Sequence, residues 1–158
     1  MRTRVEERIR MVVERMDKLT YIFEDLTGAN LRLDGESLPA FVNVLPVSGS
    51  IMVTPTQVKH FPKCAFWFVD KVNLDADGDD IQAVVERCID YAYEFILWLN
   101  ESKMFEPIEN NEVSMTVITS DFDSNVAGVA IEVQLKEKNG LRLCHDMKPS
   151  DYFDDRQG

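Results

Sequence analysis

The chain has 158 residues, 45% hydrophobic and 28% charged, the size and balance of one ordinary globular domain. A chain of this length buries roughly 68–70% of its unfolded surface, which excludes a disordered tail, a collagen and a disulfide-stapled mini-protein. Seventeen Lys and Arg stand against 28 Asp and Glu, a net charge of -11, and a surface that grips nucleic acid needs the opposite sign.

No apolar run reaches the ~18–20 residues of a membrane span; the longest, Tyr91 to Leu99, contains Glu94. The first residues, Met-Arg-Thr-Arg-Val-Glu-Glu-Arg, lack the apolar stretch of a secretory leader, so synthesis and retention in a cytoplasm are expected. Cys64, Cys88 and Cys144 show no disulfide spacing. The charge is uneven. Residues 1–18 hold six basic and four acidic side chains, and residues 19–158 hold eleven and twenty-four.

In chain order, residues 4–19 predict a helix, with Val5, Ile9, Val12, Val13, Met16 and Leu19 on one stripe. Thr3 is its expected N-cap, with Glu6 in the capping-box position. Tyr21-Ile22-Phe23 is short, apolar and aromatic, and Leu31-Arg32-Leu33 alternates like a strand. Asp34-Gly35 marks a turn. Residues 39–46 form a strand bounded by prolines, Val47-Ser48-Gly49-Ser50 a loop, and Ile51-Met52-Val53 a second short strand. Residues 64–69, Cys-Ala-Phe-Trp-Phe-Val, predict a strand buried on both faces.

An acidic loop over residues 73–80 leads into the strongest helix, residues 80–102, capped by Asp79 or Asp80. Its inner face is Ile81, Val84, Val85, Cys88, Ala92, Phe95, Ile96 and Leu99. Tyr91, Tyr93, Leu97 and Trp98 extend the apolar surface further, so the helix needs cover on more than one side. The N-terminal helix or another subunit would supply it. Residues 113–119 alternate, as do residues 126–137, where Ala127, Val129, Ile131, Val133 and Leu135 share a face. Ser120 to Asn125 joins them as a long hairpin connection. Leu141-Arg142-Leu143 predicts a last edge strand. The expectation is one α+β domain over residues 1–145, an antiparallel sheet with both helices on one face, followed by an acidic tail over residues 146–158.

Few residues suggest chemistry. Asp75, Asp77, Asp79 and Glu86 fit EF-hand positions 1, 3, 5 and 12, but Gly78 stands at position 4 where position 6 requires it. Carboxylates capping a helix explain the loop better. His60, Cys64, Cys144 and His145 lack zinc-site spacing, and Cys64 and Cys88 sit in apolar patterns typical of core thiols. Cys144-His145-Asp146 has triad residue types, but three consecutive residues cannot align as nucleophile, base and orienter. No nucleophile elbow or phosphate-binding glycine loop is present. No enzyme activity, metal or cofactor is expected. Tyr91, Tyr93 and Trp98 are candidate interface aromatics, since the interleaved Lys and Arg of a base-stacking surface are missing.

The order of elements resembles the small tail-terminator and head-to-tail joining proteins of tailed bacteriophages. The likeness rests on the N-terminal helix entering a sheet, the Pro39–Pro46 strand with its Ser-Gly loop, and the aromatic strand 64–69. It continues through the acidic loop before one long helix, the Asn100-Glu101-Ser102 and Phe105-Glu106-Pro107 exit, and the final hairpin. It covers most of residues 4–137 and carries no diagnostic motif. The resemblance implies a non-enzymatic virion protein in a homo-oligomeric ring of six or twelve copies. Such a ring sits at the neck or tail top, against tail-tube and connector proteins, and DNA passes through it during ejection. Asp75, Asp77, Asp79 and Asp80 then become a candidate lumen-facing or partner-facing loop, and residues 46–63 and 145–158 candidate tube or neck contacts. The competing readings are a soluble adaptor or regulatory domain that binds another protein, and a small enzyme or metal-binding domain.

Overall fold

The computed structural model describes residues 4–109, 113–119, 122 and 125–140. Helix α1 runs from Val5 to Met16, with Ile9, Val12, Val13 and Met16 buried. It ends three residues earlier than its apolar stripe suggests, because Asp17 turns into the left-handed region at φ 55° and its N–H returns to the Val13 and Glu14 carbonyls. Arg4 occupies the N-cap position and offers no side-chain cap; the expected cap, Thr3, lies outside the described residues.

Strand β1 (Thr20–Glu24) follows. Next comes a short helix, α2 (Leu26–Leu33), started by the Asp25 carboxylate accepting the Gly28 N–H. This corrects the reading of Leu31-Arg32-Leu33 as a strand. Leu33 is buried and Leu31 lies in solvent, a helical rather than a pleated arrangement.

Strands β2 (Ala40–Val53) and β3 (Val58–Lys71) form one long antiparallel hairpin. The sequence divides β2 into two strands around a loop at residues 47–50; the structure instead continues the strand through it. The register jumps from Val44 opposite Ala65 to Ser48 opposite Lys63. Pro46 has no N–H to donate to a ladder, so the irregularity falls where the sequence suggests a break. Helix α3 (Gly78–Ser102), β4 (Ser114–Ile118) and β5 (Val126–Gln134) complete the fold.

The sheet order is β1-β2-β3-β5-β4, with β1 parallel to β2 and every other pair antiparallel. This is the expected α+β architecture, with α1 and α3 packed on one face. Phe41, Phe66 and Phe68 point from the sheet into that layer and surround Phe95 of α3, with ring centroids 4.9, 5.1 and 5.8 Å from it. Ala127, Val129, Ile131, Val133 and Leu135 are buried in the same core, as their alternation requires. The opposite face carries a second, smaller core of Ile22, Val42, Val69, Ile118 and Val126, covered by Ala29 and Leu33 of α2. Phe122 lies against Trp67 on this side, centroids 5.1 Å apart. The expected strand at Leu141–Leu143 and the tail over residues 146–158 lie outside the described residues.

Candidate functional site

The acidic loop resolves into a cap. Asp77 is the N-cap of α3: its carboxylate accepts the Asp80 N–H at 2.9 Å, and the Asp80 carboxylate accepts the Asp77 N–H at 3.3 Å. This reciprocal box replaces the expected cap at Asp79 or Asp80. It satisfies orphan N–H groups and places negative charge at the positive end of the helix. Asp75 and Asp79 are exposed beside it. Two of the four loop carboxylates therefore have a structural task, and two are free to shape the outer field. Among the described residues, no three His, Cys, Asp or Glu side chains come together to hold a metal ion.

The three candidate interface aromatics separate by helical phase. Trp98 is half-buried on the flank facing α1, with the Arg15 guanidinium carbon 5.7 Å from its ring centroid. On that flank Lys18 also reaches Glu94 at 3.0 Å. Tyr91 is half-buried against the main core. Tyr93 lies on the other flank, 62% exposed, and Leu97 one turn further is 69% exposed. Thus α1 supplies one part of the cover that the helix needed. Tyr93 and Leu97 form an uncovered apolar spot among Glu86, Asp90 and Glu101, all exposed. Beside that flank, edge strand β4 presents Met115 and Val117 on the helix side of the sheet, opposite Ile131 and Val129, and both are about half exposed.

A further feature is missed by the sequence reading. Beyond the β2 irregularity the β2–β3 hairpin leaves its partner β1, and among the described residues, residues 48–53 pair only with residues 58–63. The tip is closed by Thr54, whose N–H donates to the Gln57 carbonyl at 2.9 Å and whose hydroxyl accepts the Gln57 N–H at 3.1 Å. At ~3.3 Å per residue this arm is roughly 20 Å long. Ile51 and Val53 are 69% and 71% exposed, and Met52 and Val58 are also open. The sequence marks Ile51-Met52-Val53 as a short strand, but Pro46 and the loop-like residues 47–50 separate it from the strand before it.

The β3 edge of the arm is anchored along its length: the Leu135 N–H donates to the Pro62 carbonyl at 2.9 Å, and at the tip the Gly140 N–H donates to the Gln57 side-chain oxygen at 3.1 Å. Glu137 is fully buried, accepts the His60 N–H at 2.6 Å and pairs with Arg8 of α1 at 3.2 Å. The Arg8 guanidinium also lies 5.5 Å from the Phe105 ring centroid. Cys64 and Cys88 are buried as expected, and desolvation pushes both thiols up to about 12. They are inert near neutral pH, since the thiolate is the reactive form. Cys144 and His145 lie outside the described residues.

No family model, curated protein or solved structure matches the chain. No helix among the described residues is long and apolar enough to cross a membrane.

Proposed function

We propose that the chain is a structural ring subunit of a tailed-phage neck or tail top, without catalytic activity, through which DNA passes. The observation that carries this reading is apolar surface beyond what one core uses: the arm tip, the Tyr93–Leu97 spot and the helix side of β4 are all open. Contiguous apolar surface on a small domain marks association, and a heterologous contact that closes on itself gives a ring. The acidic body supports passage of a polyanion, since like charge on a wall resists adhesion. Asp75 and Asp79 supply part of that field.

Mass measurement and negative-stain imaging of the concentrated protein test the reading. The expected result is a closed ring with a hole wide enough for duplex DNA, its symmetry separating a terminator from a connector. A compact dimer, or a monomer at every concentration, overturns it; the dimer would favour an adaptor domain. Charge reversal of Asp75 and Asp79 should leave assembly intact and slow DNA ejection if the loop faces the lumen. Unchanged ejection would place the loop elsewhere.

A further inference from the structure

We infer that the β2–β3 arm of one copy docks on the Tyr93–Leu97 face of α3 and the adjoining β4 flank of a second copy. The inference rests on the ring reading for its biological setting and on surface chemistry for its partner. The two surfaces complement each other in both apolarity and charge. Residues 45–63 contain Lys59 and Lys63 and no acidic side chain. They expose Ile51, Met52, Val53 and Val58. Helix α3 carries six acidic residues and a single Arg, Arg87, which is held by Asp70 at 2.9 Å. Its outward acids, Glu86, Asp90 and Glu101, surround the exposed Tyr93 and Leu97.

An apolar centre within a charged rim is the composition of an interface whose core excludes water and whose rim selects the partner. The arm divides these roles between its faces: the register puts Ile51, Val53 and Val58 on one side and Met52, Lys59 and Lys63 on the other, so the apolar side seats on Tyr93 and Leu97 while the long lysine side chains reach round the ribbon to the acidic rim. Two surfaces of one chain that fit each other, and not themselves, make a head-to-tail contact. Among the described residues no strand pairs with the outer edge of β4, which adds a second means of attachment, because an open strand edge accepts another strand.

The test uses the full chain with a photo-crosslinking amino acid at Val53, mixed as isotopically light and heavy protein. The expected products are light–heavy crosslinks mapping to residues 86–101 or 114–118. Crosslinks within one chain, for example to the tail at residues 146–158, or to any other surface of a second copy, overturn the inference. Charge exchange provides an independent readout. The double variant Asp90→Lys, Glu101→Lys should weaken self-association at least tenfold. Adding Lys59→Glu and Lys63→Glu should restore most of it. All four side chains lie outside the buried core, so circular dichroism should match the parent. Failure to restore association, with folding intact, also overturns the inference. Imaging of the parent protein judges the ring separately: inter-copy crosslinks without rings would retain the docking and remove the ring, and rings without these crosslinks would do the reverse.

Discussion

Arg8 and Glu137 illustrate how one buried ion pair ties three separate segments. The carboxylate is shared between the α1 guanidinium and the backbone N–H of His60, which lies opposite Ile51 in the outer half of the arm. Removing one partner of a buried pair leaves a desolvated charge and costs about 3–5 kcal/mol. Arg8→Met should therefore destabilise the protein by about that amount. Arg8→Met with Glu137→Gln should cost less than Arg8→Met alone, because the amide oxygen can still accept the His60 N–H without carrying a charge. Urea denaturation of the two variants checks this; equal losses would mean that the charge is not desolvated. The thiols make a second residue-scale prediction. Burial raises Cys64 and Cys88 from 9.0 to about 12, so between those values the unfolded chain releases protons that the folded chain keeps. Their contribution is fully present below pH 9 and is lost as pH rises toward 12. The denaturation midpoint should fall across that window, and Cys64→Ala, Cys88→Ala should flatten the fall while lowering stability at pH 7.

The elements differ in how openly the sequence declares them. Helix α3 is signalled by its stripe, and its N-terminus by the carboxylates of residues 75–80, though which carboxylate caps depends on where the backbone leaves the extended region. Asp77 does so at φ -90°, ψ -175°. Asp77→Ala should cost about 1 kcal/mol and Asp79→Ala almost nothing, the cap being worth roughly 0.5–2 kcal/mol; thermal unfolding of the two variants separates them. Strand β5 is equally legible, since its alternation is matched residue by residue in the core. Two elements are not. Leu31-Arg32-Leu33 alternates over only three residues, too few to tell a strand from the last turn of α2. The β2 strand passes Pro46 and Gly49, the residues that usually end a strand, because an irregular register lets the chain continue. The candidate site is hidden for the same reason: the sequence marks residues 46–63 as a contact segment holding only the short strand Ile51-Met52-Val53, and nothing in it joins that strand to residues 58–63 as a long hairpin. The sequence singles out Tyr93 together with Tyr91 and Trp98, but only the position of α1 shows that Tyr93 alone of the three lies largely open.

At the scale of the whole molecule, the strand order gives the last of the described strands a central place. Strand β5 lies between β3 and β4, and Phe66 of β3 pairs with Ile131. A ribosome delivers β1, β2, β3, α1 and α3 first, and at that stage β3 has an unpaired edge and the Phe66–Phe68 side of the core has no Val129 or Ile131 beside it. Non-local pairing of this kind is slow, and it leaves strand edges and apolar surface open until it is made. The nascent chain should accordingly stay protease-sensitive until residues 126–134 have left the exit tunnel. Ribosome-bound chains arrested before and after that point, probed by pulse proteolysis, would show protection arising in one late step; protection already present in the shorter chains would argue that the helices and first three strands fold alone. On the proposed ring reading, a subunit whose sheet closes only once β5 is in place offers a neighbour no finished α3 and β4 flank before then, so the rate of assembly follows the concentration of folded chains.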